Sequence, residues 1–180
     1  MKECLITMSD SQIGRTDWLR TAADQYSRAL FRYALMFTCD RDLAQEVVQD
    51  TFAQLCSKDP AQLDSHLAQW LFHVCRNRAF DVMKKERRMK PLDQEQVAIH
   101  LDTAPDPAAQ IGDKEQVNSI LDLLIHLPAD QQEVLRLKFQ GALSYREISQ
   151  VTGHSISNVG FLIHAGIQTM RRKLNLHPKD

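Results

Sequence analysis

Apolar residues recur every three or four positions along most of this chain, and neither half shows the alternation of period two that marks a strand. From Thr16, a residue type suited to an N-cap, Leu19, Ala22, Ala23, Tyr26, Ala29, Leu30, Tyr33 and Phe37 describe one amphipathic face. The pattern predicts a helix ending near Cys39. Asp40 can cap a second helix, with Leu43, Val47, Val48, Phe52 and Leu55 turned inward and Asp42, Glu46, Gln49 and Asp50 on other faces. Lys58-Asp59-Pro60 breaks that helix, and a short loop through Ser65 leads into a long one over Leu67 to Lys90. There Leu67, Leu71, Val74, Cys75, Ala79 and Val82 share one side.

Between Pro91 and Asp113 stand five acids and no Lys or Arg, punctuated by Pro91, Pro105 and Pro107, which predicts a linker with a short helical turn near Gln94 to His100. A helix from about Lys114 follows, its stripe formed by Val117, Ile120, Leu121, Leu124 and Ile125. Pro128 opens the next, over Ala129 to Gln140, which should bury Val134, Leu135, and Leu137 or Phe139 and end on Gly141 as a left-handed cap. Ser144-Tyr145-Arg146-Glu147 fits a capping box. The short helix it starts should stop at Thr152 and Gly153, before a longer one from Ile156 to Leu174. Helix, tight turn with Gly, helix is the plan in which the second helix enters the major groove of DNA. The expected fold is all-α: a loose leader (1–15), a helical domain (16–90), an acidic linker (91–113), a helix-turn-helix domain (114–176) and a tail (177–180).

Charge sharpens this picture. The formal net charge of the 180 residues is -1, so any affinity for nucleic acid must come from local patches. One such patch is the long helix, where seven basic residues from Arg76 to Lys90 face only Asp81 and Glu86. His73, Arg76, Asn77, Lys84, Arg87 and Arg88 gather opposite the apolar stripe with Phe80 among them. Such a face can neutralise phosphates, and its ring can stack on an unpaired base. The alternative is a basic solvated face with Phe80 partly tucked in.

Other chemistry is sparse. Cys4, Cys39, Cys56 and Cys75 form no CxxC pair, which fits reduced thiols and neither a zinc ribbon nor a disulfide framework. His73 and Cys75, two apart on a helix, point away from each other and cannot chelate one ion. With no Gly-rich phosphate loop or nucleophile motif, no enzymatic role, metal or cofactor is expected. Arg or Asp interrupts every later apolar run, so a cytoplasmic chain without membrane insertion is expected.

Two sets of residues together resemble a bacterial RNA polymerase sigma factor of the extracytoplasmic-function (ECF) group, over about Tyr26 to Leu174. The first is Asp42-Leu43-Ala44-Gln45-Glu46-Val47-Val48-Gln49-Asp50-Thr51-Phe52 with Trp70-Leu71-Phe72-His73-Val74-Cys75-Arg76-Asn77-Arg78-Ala79-Phe80-Asp81, similar to sigma region 2. The second is Leu127-Pro128-Ala129-Asp130-Gln131-Gln132-Glu133-Val134-Leu135 with Leu143-Ser144-Tyr145-Arg146-Glu147-Ile148-Ser149, similar to region 4. The resemblance implies core RNA polymerase and promoter DNA as partners, with contacts to the clamp helices of the largest subunit and to the upstream flap, and it allows an anti-sigma factor. Glu46, Gln49 and Asp50 match the clamp-helix contact. The loop from Ala61 to His66 is then the expected pocket for a flipped base. Trp70, His73, Arg76, Asn77, Phe80, Lys84, Arg87 and Arg88 would bind and melt the minus-10 element, although Trp70 also lies at the margin of the core.

Ser157, Asn158, Phe161, Gln168 and Arg172 fall where the family reads the minus-35 duplex. Here the chain departs from the family. Ile156, Val159, Ile163, Ile167, Met170 and Leu174 form the expected buried stripe, and in the outward set only Arg172 is basic. Gly160, Leu162 and Ala165 stand where cations are common. Two readings follow: Asn158 and Gln168 read base edges while Phe161 packs on thymine methyls, or Phe161 and Leu162 belong to a protein interface. The competing functional class is a helix-turn-helix regulator that binds DNA without serving the polymerase.

Overall fold

The computed structural model describes residues 10–63, 65–89 and 123–175. The expected linker, the Gln94 to His100 turn, the start of the helix at Lys114 and the tail lie outside the described residues. The chain divides into two compact units, residues 1–89 and 90–180. Both are all-α, and no strand occurs among the described residues.

Unit 1 packs three long helices, α1 (Asp10–Thr38), α2 (Arg41–Cys56) and α4 (Leu67–Met89), with a single turn α3 (Pro60–Leu63) between the last two. Each long helix packs on both others. Leu30, Tyr33, Val47, Leu55, Leu71, Phe72 and Cys75 are among the residues they bury. Tyr33 lies edge-on to Phe72, ring centroids 5.3 Å apart, a geometry that adds to the burial itself. Asp40 caps α2 as its position predicts, its carboxylate accepting from the Asp42 and Leu43 amides at 2.8 and 3.0 Å. Cys39 absorbs the reversal between α1 and α2 with φ 57°.

Three expectations are corrected in this unit. Helix α1 begins at Asp10, ahead of Thr16, so part of the expected leader is helical. The Arg15 guanidinium, which donates to the Cys56 carbonyl, ties this early stretch to the end of α2. The loop after Pro60 contains α3, started by Asp59 accepting from the Ala61 amide at 3.1 Å and anchored by buried Leu63. Phe72, outside the predicted stripe of α4, is fully buried, because a helix packed against two neighbours hides a wider arc than one face.

Unit 2 packs α5 (Ala129–Phe139), α6 (Tyr145–Thr152) and α7 (Ile156–Asn175) around Val134, Leu137, Leu143, Ile148, Val151, Val159 and Ile163. The capping box forms: Ser144 Oγ accepts from the Glu147 amide at 3.3 Å and Glu147 Oε2 accepts from the Ser144 amide at 2.7 Å. Gly153 ends α6 with φ 82°. The left-handed residue after α5 is Ala142, φ 53°, and not Gly141, which is buried. Leu137 is buried and Phe139 is 66% exposed, which decides between those two candidates. Ile156 and Leu174, expected in the stripe of α7, are exposed. They occupy the first and last turns, Leu174 at the edge of a groove that it shares with Leu135 and Phe139 of α5, while Val159 and Ile163 fill the packed middle.

Candidate functional site

On α2, Glu46, Gln49 and Asp50 share one face through i, i+3 and i, i+4 spacing. Glu46 and Gln49 are exposed and Asp50 is half-buried. The structure adds a residue that periodicity did not single out: Arg78 of α4, whose Nε donates to Asp50 Oδ2 at 3.0 Å. A second guanidinium nitrogen of Arg78 engages the same oxygen. That hydrogen bond, more than the nearby charges of Asp50, Asp81 and Glu46, holds the guanidinium more firmly protonated than usual. The signal was present in the sequence, since on a helical wheel Arg78 falls between Leu67 and Leu71 and a cation there needs a partner.

The basic side of α4 is laid out in two parts. Toward its start, Trp70 is half-buried with the Lys58 ammonium 5.9 Å from its ring centroid. His73 and Asn77 are exposed, and Asn77 Nδ2 donates to His73 Nε2 at 3.1 Å. Toward its end, Phe80 is 44% exposed. One side of its ring meets Phe37, centroids 5.0 Å apart, and the Arg76 guanidinium stands 4.6 Å from its centroid. Phe80 is thus fixed in place while part of its surface stays open. Met36, Phe37, Phe80 and Met83 floor a groove of about 620 Å³ that Lys84, Arg87 and Arg88 border. Met36 and Met83 join through packing between α1 and α4 and had no separate signal in the sequence, whereas Phe37 was read only as part of the apolar face of α1. At 1.5 Å per residue Trp70 and Phe80 stand about 15 Å apart along the axis, so the predicted set spans several nucleotides.

In unit 2 the turn between α6 and α7 is stapled. Ser149 Oγ donates to the His154 carbonyl at 2.6 Å, the His154 amide donates to Thr152 Oγ1 at 3.3 Å, and the Asn158 amide donates to Ser155 Oγ at 3.2 Å. This fixes the start of α7. Ser157, Phe161, Gln168 and Arg172 are exposed and Asn158 is half-buried. Arg172 also reaches Thr169 Oγ1 at 3.4 Å. Tyr145, whose ring lies beside Gly160, and Ile156, the first residue of α7, are exposed as well. Elsewhere in the unit, Leu124, Leu135, Phe139, Ile167, Met170 and Leu174 line an apolar groove of about 450 Å³.

Among the described residues no cluster of His, Cys, Asp or Glu could hold a metal ion, and no helix is long and apolar enough to cross a membrane. The arrangement offers an acidic face, a cationic and aromatic face, and a helix-turn-helix.

Comparison with known proteins gives the same two parts. The family model described as Sigma-70 region 2 matches residues 22–89, and that described as Sigma-70, region 4 matches residues 118–170. The chain is 24% identical over 156 residues to the ECF RNA polymerase sigma factor SigM of Bacillus subtilis, covering 86% of this chain and 94% of that one. It is 28% identical over 137 residues to the ECF RNA polymerase sigma factor RpoE of Cereibacter sphaeroides, covering 73% and 72%. Its fold resembles that of the sigma factor RpoE of Bartonella quintana, solved in complex with the anti-sigma factor NepR, with a TM-score of 0.60, 22% identity, and coverage of 91% and 99%.

Proposed function

The chain belongs to the sigma-70 family, as an RNA polymerase sigma factor of the ECF kind, and from that premise we propose how its surfaces divide the work of initiation. Unit 1 docks on the clamp helices of core polymerase through Glu46, Gln49 and Asp50, then binds and opens the minus-10 element along α4. Unit 2 sets its helix-turn-helix on the minus-35 duplex, with Ser157, Asn158, Phe161, Gln168 and Arg172 facing the groove. Its apolar groove suits a protein partner, and we assign the upstream flap of the polymerase to it. The polymerase carries out the chemistry.

The observation that carries this reading is the groove floored by Phe37 and Phe80 and bordered by Lys84, Arg87 and Arg88. Opening a base step costs a few kcal/mol, and an exposed strand can return that through charge neutralisation and stacking. Cations beside an open aromatic surface provide both. His73 and Asn77 extend the polar surface toward Trp70, and α3 with the residues after it remains our candidate for the flipped-base pocket. The Bartonella quintana relative is held by an anti-sigma factor, and we propose that an inhibitor of that class could hold this chain, which is a cytoplasmic protein in this reading.

Start-site mapping on a promoter library with core polymerase, with and without the chain, tests the proposal. New start sites that share two upstream elements are expected. Specific binding to DNA by the purified chain alone, with no new start sites, would instead indicate a regulator that acts without the polymerase.

A further inference from the structure

We propose that Phe161 is a specificity residue that reads thymine methyl groups in the minus-35 duplex, making recognition depend on apolar contact where cations would otherwise act. The inference rests on assigning α7 to promoter DNA and goes on to name the base feature it reads.

Helix α7 contains no Asp or Glu, and Arg171, Arg172 and Lys173 follow one another near its end. A helix with cations and no carboxylates is suited to a polyanion. Its anchored side is fixed by buried Val159 and Ile163, and by Gly166, where a Cβ would come within 2.8 Å of Leu135 Cδ1. The stapled turn holds its first residues. Phe161, two residues from both Val159 and Ile163, therefore projects on the opposite side, and it is 67% exposed.

The neighbours of Phe161 on the surface of α7, at i−4, i−3, i+3 and i+4, are Ser157, Asn158, His164 and Ala165, so the ring stands as an apolar group among mostly hydrogen-bonding side chains. A phenyl ring gains nothing from a phosphate and cannot hydrogen-bond a base edge. In the major groove the one apolar base feature is the C5-methyl of thymine. Ser157 and Gln168 share the Phe161 face at i−4 and i+7 and can supply hydrogen bonds on either side. The element read by this helix should therefore carry thymine opposite Phe161.

The test is holoenzyme binding to duplex probes taken from promoters that the chain itself directs, with minus-35 thymines replaced one at a time by deoxyuridine. This removes the methyl and keeps every hydrogen-bonding group. Wild type should lose about three- to fivefold at the contacted thymine, the scale of one buried methyl. Phe161→Ala should bind both probes equally, at the weaker level. Equal binding of both probes by wild type would overturn the proposal, as would an undiminished deoxyuridine penalty in Phe161→Ala. Full promoter affinity in Phe161→Ala together with loss of binding to an inhibitor protein would assign the ring to a protein interface and overturn it too. If the chain directs no start sites, the promoter-binding reading falls and this proposal with it; promoters that are directed but insensitive to the methyl overturn this proposal alone.

Discussion

Arg78 of α4 donates to Asp50 of α2 at 3.0 Å, placing an ion pair at one edge of the packed seam between two helices. Asp50 is also one of three residues assigned to polymerase docking, so the pair couples the core of unit 1 to that surface. A half-buried pair of this kind, still open to solvent on one side, contributes only about 0.2–1 kcal/mol. Asp50→Ala and Arg78→Ala should each lower stability slightly, with a coupling energy in that range in a double-mutant cycle followed by urea unfolding. Glu46→Ala and Gln49→Ala should weaken binding to core polymerase and leave stability within about 0.5 kcal/mol of wild type. A large stability loss at Glu46 would place it in the fold and not in docking.

Cys75 supplies a prediction in pH. Burial pushes its thiol from 9.0 up to about 12, with a hydrogen bond from Thr51 opposing. A group whose folded pKa is raised contributes its full stability below the unfolded value and loses it as pH climbs toward the folded one. Stability should hold up to about pH 9 and then fall by at most about 1.4 kcal/mol per pH unit from this group. Urea unfolding of wild type and Cys75→Ala at pH 8, 9 and 10 checks it. The variant should lose this component of the slope. In native protein, exposed Cys39 and Cys56 should be alkylated well before Cys75.

Two left-handed residues in unit 2 should respond in opposite directions. Ala142 has φ 53° and carries a Cβ where glycine is easier, so Ala142→Gly should stabilise the chain by about 0.5–1 kcal/mol. Gly153 has φ 82°, and Gly153→Ala should destabilise it by about 1 kcal/mol or more. Thermal unfolding of both variants decides the matter, and a shift of the same sign in both would count against the assigned backbone.

The capping box makes a further claim. Ser144→Ala removes the side-chain acceptor for the Glu147 amide and should cost about 1 kcal/mol. Because α6 presents the turn that fixes α7, promoter affinity should fall with it. Unchanged unfolding and unchanged binding together would show that the box contributes nothing.

How much of this was legible in the sequence differs by residue. Asp40, Ser144, Glu147 and Gly153 could be read because capping is local: donor and acceptor lie within a few residues of each other. The interior of unit 1 was legible where one face suffices, as with Leu71, Cys75 and Ala79. Phe72 was not, since its surroundings depend on which neighbour packs beside α4, and for Arg78 the helical wheel marked a cation beside the apolar stripe but not its partner Asp50, which the packing of α2 supplies. Ile156 and Leu174 followed the helical period and were still exposed. Periodicity marks a direction but not how much of a terminal turn the neighbouring helices cover. The cationic side of α4 was visible in composition, while Met36, Phe37 and Met83 joined its groove only through the packing of α1 on α4.

The central claim is that α4 opens the start-proximal duplex with Lys84, Arg87 and Arg88 beside Phe80. Permanganate reactivity of thymines in holoenzyme–promoter complexes, for wild type and for the Lys84, Arg87, Arg88 triple alanine variant, tests it most directly. Wild type should make minus-10 thymines reactive, and the variant should still bind core polymerase while leaving them protected. Equal reactivity in a variant that occupies the promoter as wild type does would contradict the claim.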